Sequence, residues 1–378
     1  MNTTKLISVF CGLTLHCVYT TSFAELLKDE PLSKSTMEFY AGLVYLQPST
    51  DNLKYAVFVS GDQPYQQSWH YQEIHPNYSP GFEIGLNYNF SQTPYQTSVD
   101  WLHLNTSNST FKQATTNTDP ATVEFVVPPY EVGPPVFGIK RADSTVQFGF
   151  DSIDINASRL FEYDSKVQAR VFGGINILRV NQTLTTVFSD FAGSPANPYS
   201  YALPPDPLFF FQTQNESKYL GAGPDLGLNV QYNAYRGFGL VGEIKGSLTA
   251  GSISVIDNFL SNSSRLTAMG LSPSYQAVTT PDVTQVVTGF DGKLGLFYNY
   301  SGQYFGQYLD SLTIEAGYRI AFYNNAIADV NPATLVQAGM FNITPEFATG
   351  TMAINSTDSR SRNFSFNGPY VNLKVAMA

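Results

Sequence analysis

Gly81-Phe-Glu-Ile-Gly-Leu-Asn-Tyr88, Gly223-Pro-Asp-Leu-Gly-Leu-Asn-Val230, Gly289-Phe-Asp with Leu294-Gly-Leu-Phe-Tyr298, and Gly368-Pro-Tyr-Val-Asn-Leu-Lys-Val375 share one rhythm. Every second residue is apolar or aromatic, and the residues between are mostly small, polar or charged. Period-two alternation marks a strand whose two faces meet two different environments. Glu83, Asp225, Asp291 and Lys374 fall within these strands rather than at their ends. A soluble sandwich turns its apolar face inward and keeps charge at the rim. A membrane barrel shows the apolar face to lipid and encloses water. The pattern therefore predicts an all-β fold, a transmembrane antiparallel up-and-down β-barrel.

Working outward, the chain parses into about ten such segments, within a range of 8–14: 37–47, 81–90, 95–104, 145–160, 166–178, 219–232, 238–251, 286–300, 311–323 and 364–377. Most are long enough to cross an outer membrane at the usual tilt. Leu86, Val171, Leu228, Leu240, Ile314 and Leu373 are expected to face lipid. Short connections at Ser91–Pro94, Phe161–Ser165, Asn233–Gly237 and Ser301–Asp310 alternate with long ones at 48–80, 105–144, 179–218, 252–285 and 324–363. That asymmetry matches short periplasmic turns and long outer loops. One segment breaks parity: Val146, Phe148 and Phe150 alternate one way, Ile153 and Ile155 the other. Keeping all five toward lipid predicts a β-bulge near Asp151–Ser152.

Residues 1–24 read as a signal peptide, with Lys5 before the apolar run Leu6–Val18 and cleavage expected after Ala24. Residues 25–36 read as a periplasmic tail and 37–378 as the barrel. Cys11 and Cys17 are the two cysteines, so cleavage would leave neither disulfide nor thiolate metal site. Charged residues make up 13% and aromatics 14%, about half the charge of an average soluble domain but suited to aromatic girdles. Net charge is -10, or -11 without Lys5, which argues against a nucleic-acid partner.

Chemistry, if any, should lie on the inward face. Glu83, Asp100, Asp225, Glu243, Asp291 and Glu315, with Lys166, Arg170, Lys245, Lys293, Arg319 and Lys374, are the candidate pore-lining residues. Crossed charges of this kind would select small solutes at a constriction. They would equally pair and fill a closed lumen, and ten strands lie nearer the filled than the open end of barrel sizes. His103 stands close to Asp100 and Trp101, but no nucleophile motif accompanies it, so no catalytic residue and no enzyme activity are expected. His70 and His75 are too poorly spaced in a loop to assign a metal, and no cofactor is expected. Leu203-Pro-Pro-Asp-Pro-Leu-Phe-Phe-Phe211, in the third long connection, should fold into the barrel mouth or onto neighbouring loops.

The Gly-x-x-x-Gly-Leu-Asn strands, Tyr219-Leu-Gly-Ala-Gly-Pro-Asp-Leu-Gly-Leu-Asn-Val230 and Phe366-Asn-Gly-Pro-Tyr-Val-Asn-Leu-Lys374 resemble the Legionella major outer membrane protein family across the mature chain. The resemblance implies an exported outer-membrane barrel, usually described as a porin at the cell surface, and carries no catalytic residues. Two features depart from it: no cysteine remains for envelope cross-linking, and Val375-Ala-Met-Ala378 lacks the usual terminal aromatic. The leading expectation is a porin for small hydrophilic solutes in the outer membrane. The alternatives are a closed structural or adhesive barrel whose long loops meet host surface molecules, and a transporter of hydrophobic compounds. Outer-membrane lipid and small solutes are the expected partners; the sequence leaves oligomeric state open.

Overall fold

The computed structural model describes residues 35–62, 66–115, 122–129, 131–132, 139–164, 166–192, 205–262, 274–300, 309–338 and 351–377. The expected signal peptide, nearly all of the tail, and residues 301–308 of one short connection lie outside them. In chain order the strands are β1 (Thr36–Thr50), β2 (Lys54–Asp62), β3 (Gln66–Glu73), β4 (Ser79–Asn89), β5 (Tyr95–Gln113), β6 (Thr122–Val127), β7 (Glu131–Val132), β8 (Ile139–Glu162), β9 (Val167–Phe191), β10 (Asp206–Tyr235), β11 (Phe238–Asn262), β12 (Ser274–Thr279), β13 (Val283–Tyr300), β14 (Leu309–Ala338) and β15 (Thr351–Met377).

Ten of them close a ring in the order β1-β4-β5-β8-β9-β10-β11-β13-β14-β15 and back to β1, each pair antiparallel. Closure satisfies every edge, which a sheet in hydrocarbon requires. The ten strands are those the alternation predicts. A two-residue turn joins β10 to β11: Tyr235 pairs Phe238, and both Arg236 and Gly237 have positive φ, of 48° and 86°. That is the primed geometry whose twist fits a hairpin. At Gly237 a side chain would also collide with the carbonyl of Asn299.

The outward face of the half next to the short turns is an apolar band. It includes Leu86, Val171, Leu240, Ile314 and Leu373, all exposed, with Leu43 at 73% and Leu294 at 69% exposure. Leu228 points the same way but is only half-exposed. Large apolar groups left uncovered around a whole ring are stable only against lipid.

Beyond the band the two faces exchange character. On β8, burial runs through even positions without a break, from Ala142 past Phe148 and Phe150 to Asp154 and Ser158. Register with β5 and β9 also continues through Asp151 and Ser152. The expected β-bulge is therefore absent: Phe148 and Phe150 point inward and Ile155 outward. The parity of apolar residues changes because the surroundings change. Toward the short turns lipid lies outside and polar groups inside; toward the long connections water lies outside, beside Thr145 and Gln147, and apolar groups inside.

The same inversion lengthens the strands. The segment 179–218 was expected as a loop, yet β9 continues to Phe191 and β10 begins at Asp206. The triple phenylalanine is accordingly strand rather than loop. Phe211 is buried between Phe188 and Phe259, with ring centroids 6.1 and 6.2 Å away, and Phe209 meets Phe191 at 5.5 Å. Leu203 and Pro204 lie outside the described residues. In the first two long connections, β2, β3 and β6 form a separate sheet in the order β3-β2-β6. Val57, Val59, Phe125 and Val127 pack within it, while Tyr55, Ala56 and Val126 join the barrel's apolar interior. β12 extends the wall beside β11, and β7 adds a short parallel pairing to β14.

Candidate functional site: a charged cavity beneath an aromatic layer

The inward face has two levels. The outer level is apolar and crosses the barrel. Phe150 on β8 meets Tyr323 on β14 at 5.3 Å, Phe364 at 5.6 Å and Phe366 at 5.0 Å on β15. β14 is five strands from β8 whichever way the ring is followed, so these rings come from opposite walls. Leu46, Leu104, Leu178, Val180 and Val287 continue the same cluster around the wall. Above it, Asn52 reaches in from the β1–β2 connection and exchanges two hydrogen bonds with Gln182, of 2.9 and 2.8 Å. Rings at these separations are in packing contact.

The inner level is charged, and strand alternation places its members. Lys293 Nζ on β13 donates to Glu83 Oε1 on β4 at 2.7 Å, and Arg319 Nη1 on β14 lies 3.1 Å from the same oxygen. Arg319 also clasps Asp291 through Nε and a second nitrogen. Lys293 reaches Glu243 at 3.7 Å. Across a different chord, Lys245 Nζ on β11 donates to Asp154 on β8 at 2.6 Å, and Asn176 donates to the other Asp154 oxygen at 2.6 Å. Lys374 and the Tyr370 hydroxyl both serve Glu315, at 2.6 and 2.8 Å. Several members are almost wholly enclosed, with Glu83 and Arg319 each at 3% exposure. Opposite charges removed from water need such partners, because an unpaired buried charge is costly.

A cavity of about 290 Å3 lies at this level. Of the residues singled out from sequence, Glu83, Asp100, Arg170, Glu243, Lys245, Lys293, Glu315, Arg319 and Lys374 line it. Asp291 is buried behind Arg319, and Asp225 is buried in the wall of β10, outside the lining. Lys166 is misplaced by the sequence reading. Its parity matches that of Gln168 and Arg170, but β9 starts at Val167 and Lys166 stands exposed in the turn before it. Glu38, Tyr40, Asp154 and Asn156 line the cavity without having been singled out. The available signal for the last two was their inward parity on either side of the outward Ile155.

His103 faces the other way. With Trp101 it sits on the outer surface, its Nδ1 2.7 Å from Asp151 and its ring 5.1 Å from Phe82. It takes no part in the cavity.

Among solved structures, the chain is similar to the outer-membrane protease OmpT of Escherichia coli (13% identity, TM-score 0.36, 93% of this chain and 98% of that one). It is also similar to a Pseudomonas aeruginosa FadL homologue (8% identity, TM-score 0.26, 91% and 90%). A third similarity is to Ail, the attachment invasion locus protein of Yersinia pestis (10% identity, TM-score 0.21, 61% and 97%). No curated protein sequence matches the chain. A family model described as the Legionella pneumophila major outer membrane protein precursor matches residues 30–377, and the chain belongs to that family of outer-membrane β-barrels.

Proposed function

We propose that the barrel is closed to free diffusion and serves at the cell surface as a structural and adhesive protein. The observation that carries this reading is the contact of Phe150 with Tyr323, Phe364 and Phe366 across the full width of the ring. Contact between opposite walls supports a lumen that leaves little room for solutes at this level. Beyond the layer the strands rise clear of the apolar band, and β3 leaves Trp69 and Tyr71 exposed at the edge of the small sheet. Aromatic residues left in water at an open edge suit protein contact. No catalytic role is proposed, since His103 and Asp151 lie outside the barrel wall, away from the cavity.

A second reading is a porin for small hydrophilic solutes whose aromatic layer opens. The charged cavity favours it, because a water-filled chamber with both signs on its wall is what a selective passage needs on one side. Liposome swelling separates the two. Vesicles carrying the wild-type protein should not swell in small sugars, whereas a Phe150→Ala/Phe364→Ala variant should admit them. Swelling by the wild type at rates equal to the variant would establish the porin instead. On the closed reading, Trp69→Ala/Tyr71→Ala should reduce adhesion of cells displaying the protein while leaving its surface level unchanged.

A further inference from the structure

The lumen cations are not equally engaged. Lys245, Lys293, Arg319 and Lys374 each meet a carboxylate. Arg170 lines the cavity without an ion pair among the described residues, and its Nε is shielded from solvent with no hydrogen-bond partner. Two carboxylates on the same lining are in the complementary condition. Glu38 accepts a hydrogen bond from Asn87 Nδ2 at 2.8 Å, and Asp100 accepts one from the Tyr40 hydroxyl at 2.6 Å. Both donors are neutral, so each carboxylate lacks a cation within ion-pair distance among the described residues. Glu38, Glu243 and Asp100 line the same cavity as Arg170.

We propose that this cavity binds a small zwitterion of amino-acid size, its carboxylate held by Arg170 and its ammonium by Glu38 and Asp100. A simple anion would meet Arg170 but be repelled by the two carboxylates. A simple cation would meet the carboxylates but be repelled by Arg170. Only a molecule carrying both groups satisfies both sets, and a guanidinium suits a carboxylate because its fork matches two oxygens. The volume, about 290 Å3, is at the small end of ligand sites, enough for an amino acid. On the closed reading, entry is from the short-turn side, where Gln96, Gln168 and Gln231 line the cavity.

The site does not depend on whether the aromatic layer ever opens. The test is calorimetric titration of the refolded full chain in detergent with L-alanine, acetate and ethylammonium. Alanine should bind saturably and at least about tenfold more tightly than either single-charge probe, as expected when two charge-assisted contacts are made together. Arg170→Gln should weaken alanine by about tenfold or more, and Arg170→Lys, which keeps charge but loses the fork, should fall between. Glu38→Gln, close to the chain's entry into the barrel, provides a second variant should Arg170→Gln refold poorly, and it should weaken alanine without strengthening ethylammonium. Equal affinity for alanine and acetate, unchanged affinity in folded Arg170 and Glu38 variants, or a cavity that holds water only would overturn the proposal. Binding by a protein that also conducts would support this site and remove only the closed-barrel reading.

Discussion

Asp257 points into the barrel from β11 beyond the apolar band, 2% exposed, with Oδ1 lacking a hydrogen-bond partner. Burial, followed by the charge of Asp329 on β14, pushes its carboxyl up to about 8, while a hydrogen bond with Asn215 on β10 opposes them. Asp329 is itself held by Arg362 on β15 at 3.2 Å, and Arg362 also reaches Asp51 at 3.7 Å. The folded chain therefore binds the Asp257 proton more tightly than the unfolded chain, whose Asp titrates near about 4. This contribution to stability is complete below about pH 4 and is lost as pH rises through about 8. Asp257→Asn copies the neutral form, so its thermal midpoint should fall less than that of the wild type between pH 5 and pH 9. Parallel curves for the two proteins would mean that another group sets the slope. At this scale the sequence was legible only where parity was: Glu83 or Arg319 could be placed inward, but Asp257 lies in a stretch whose inward face had become apolar. The partners of each charge could not be read either, because Glu83 meets Lys293 across the lumen rather than along a strand.

At the scale of the element, β8 carries the clearest lesson. Its membrane part and its outer part are each alternating, and reading both with apolar side chains outward required a bulge that the register does not contain. The strands were legible where lipid is the outer solvent and truncated where it is not, since the outer halves of β8, β9 and β11 carry buried apolar residues on the inward face. Single cysteines in a Cys11→Ala/Cys17→Ala background test the continuous register. Gln147→Cys should react with a water-soluble maleimide and Phe148→Cys should be shielded; a bulge would reverse the two. The lipid-facing assignment has its own test. Leu240, on β11, is 47% exposed in the apolar band, and Leu240→Arg should destabilise the refolded barrel by about 2–4 kcal/mol. A neutral effect in bilayer refolding titrations would place that face away from hydrocarbon.

For the whole molecule, ring closure and localisation follow from ten strands, each paired with two neighbours, and an apolar outer band. Within the ring lie two stacked interiors, a charged cavity and an aromatic layer. The change of pattern seen along β8 and its neighbours produces that division: the outward face is apolar toward the short turns and more polar beyond. A water-surrounded barrel needs an apolar core, and on the proposed reading such a core closes a ring of only ten strands. Closure is thus tied to the same property that lengthens the strands. The most direct measurement is single-channel recording in a planar bilayer, on the wild type and on Phe150→Ala/Phe364→Ala. No conductance steps are expected from the wild type, and discrete steps are expected once the two rings are removed. Regular steps from the wild type, with an amplitude that the substitutions leave unchanged, would contradict the closed reading.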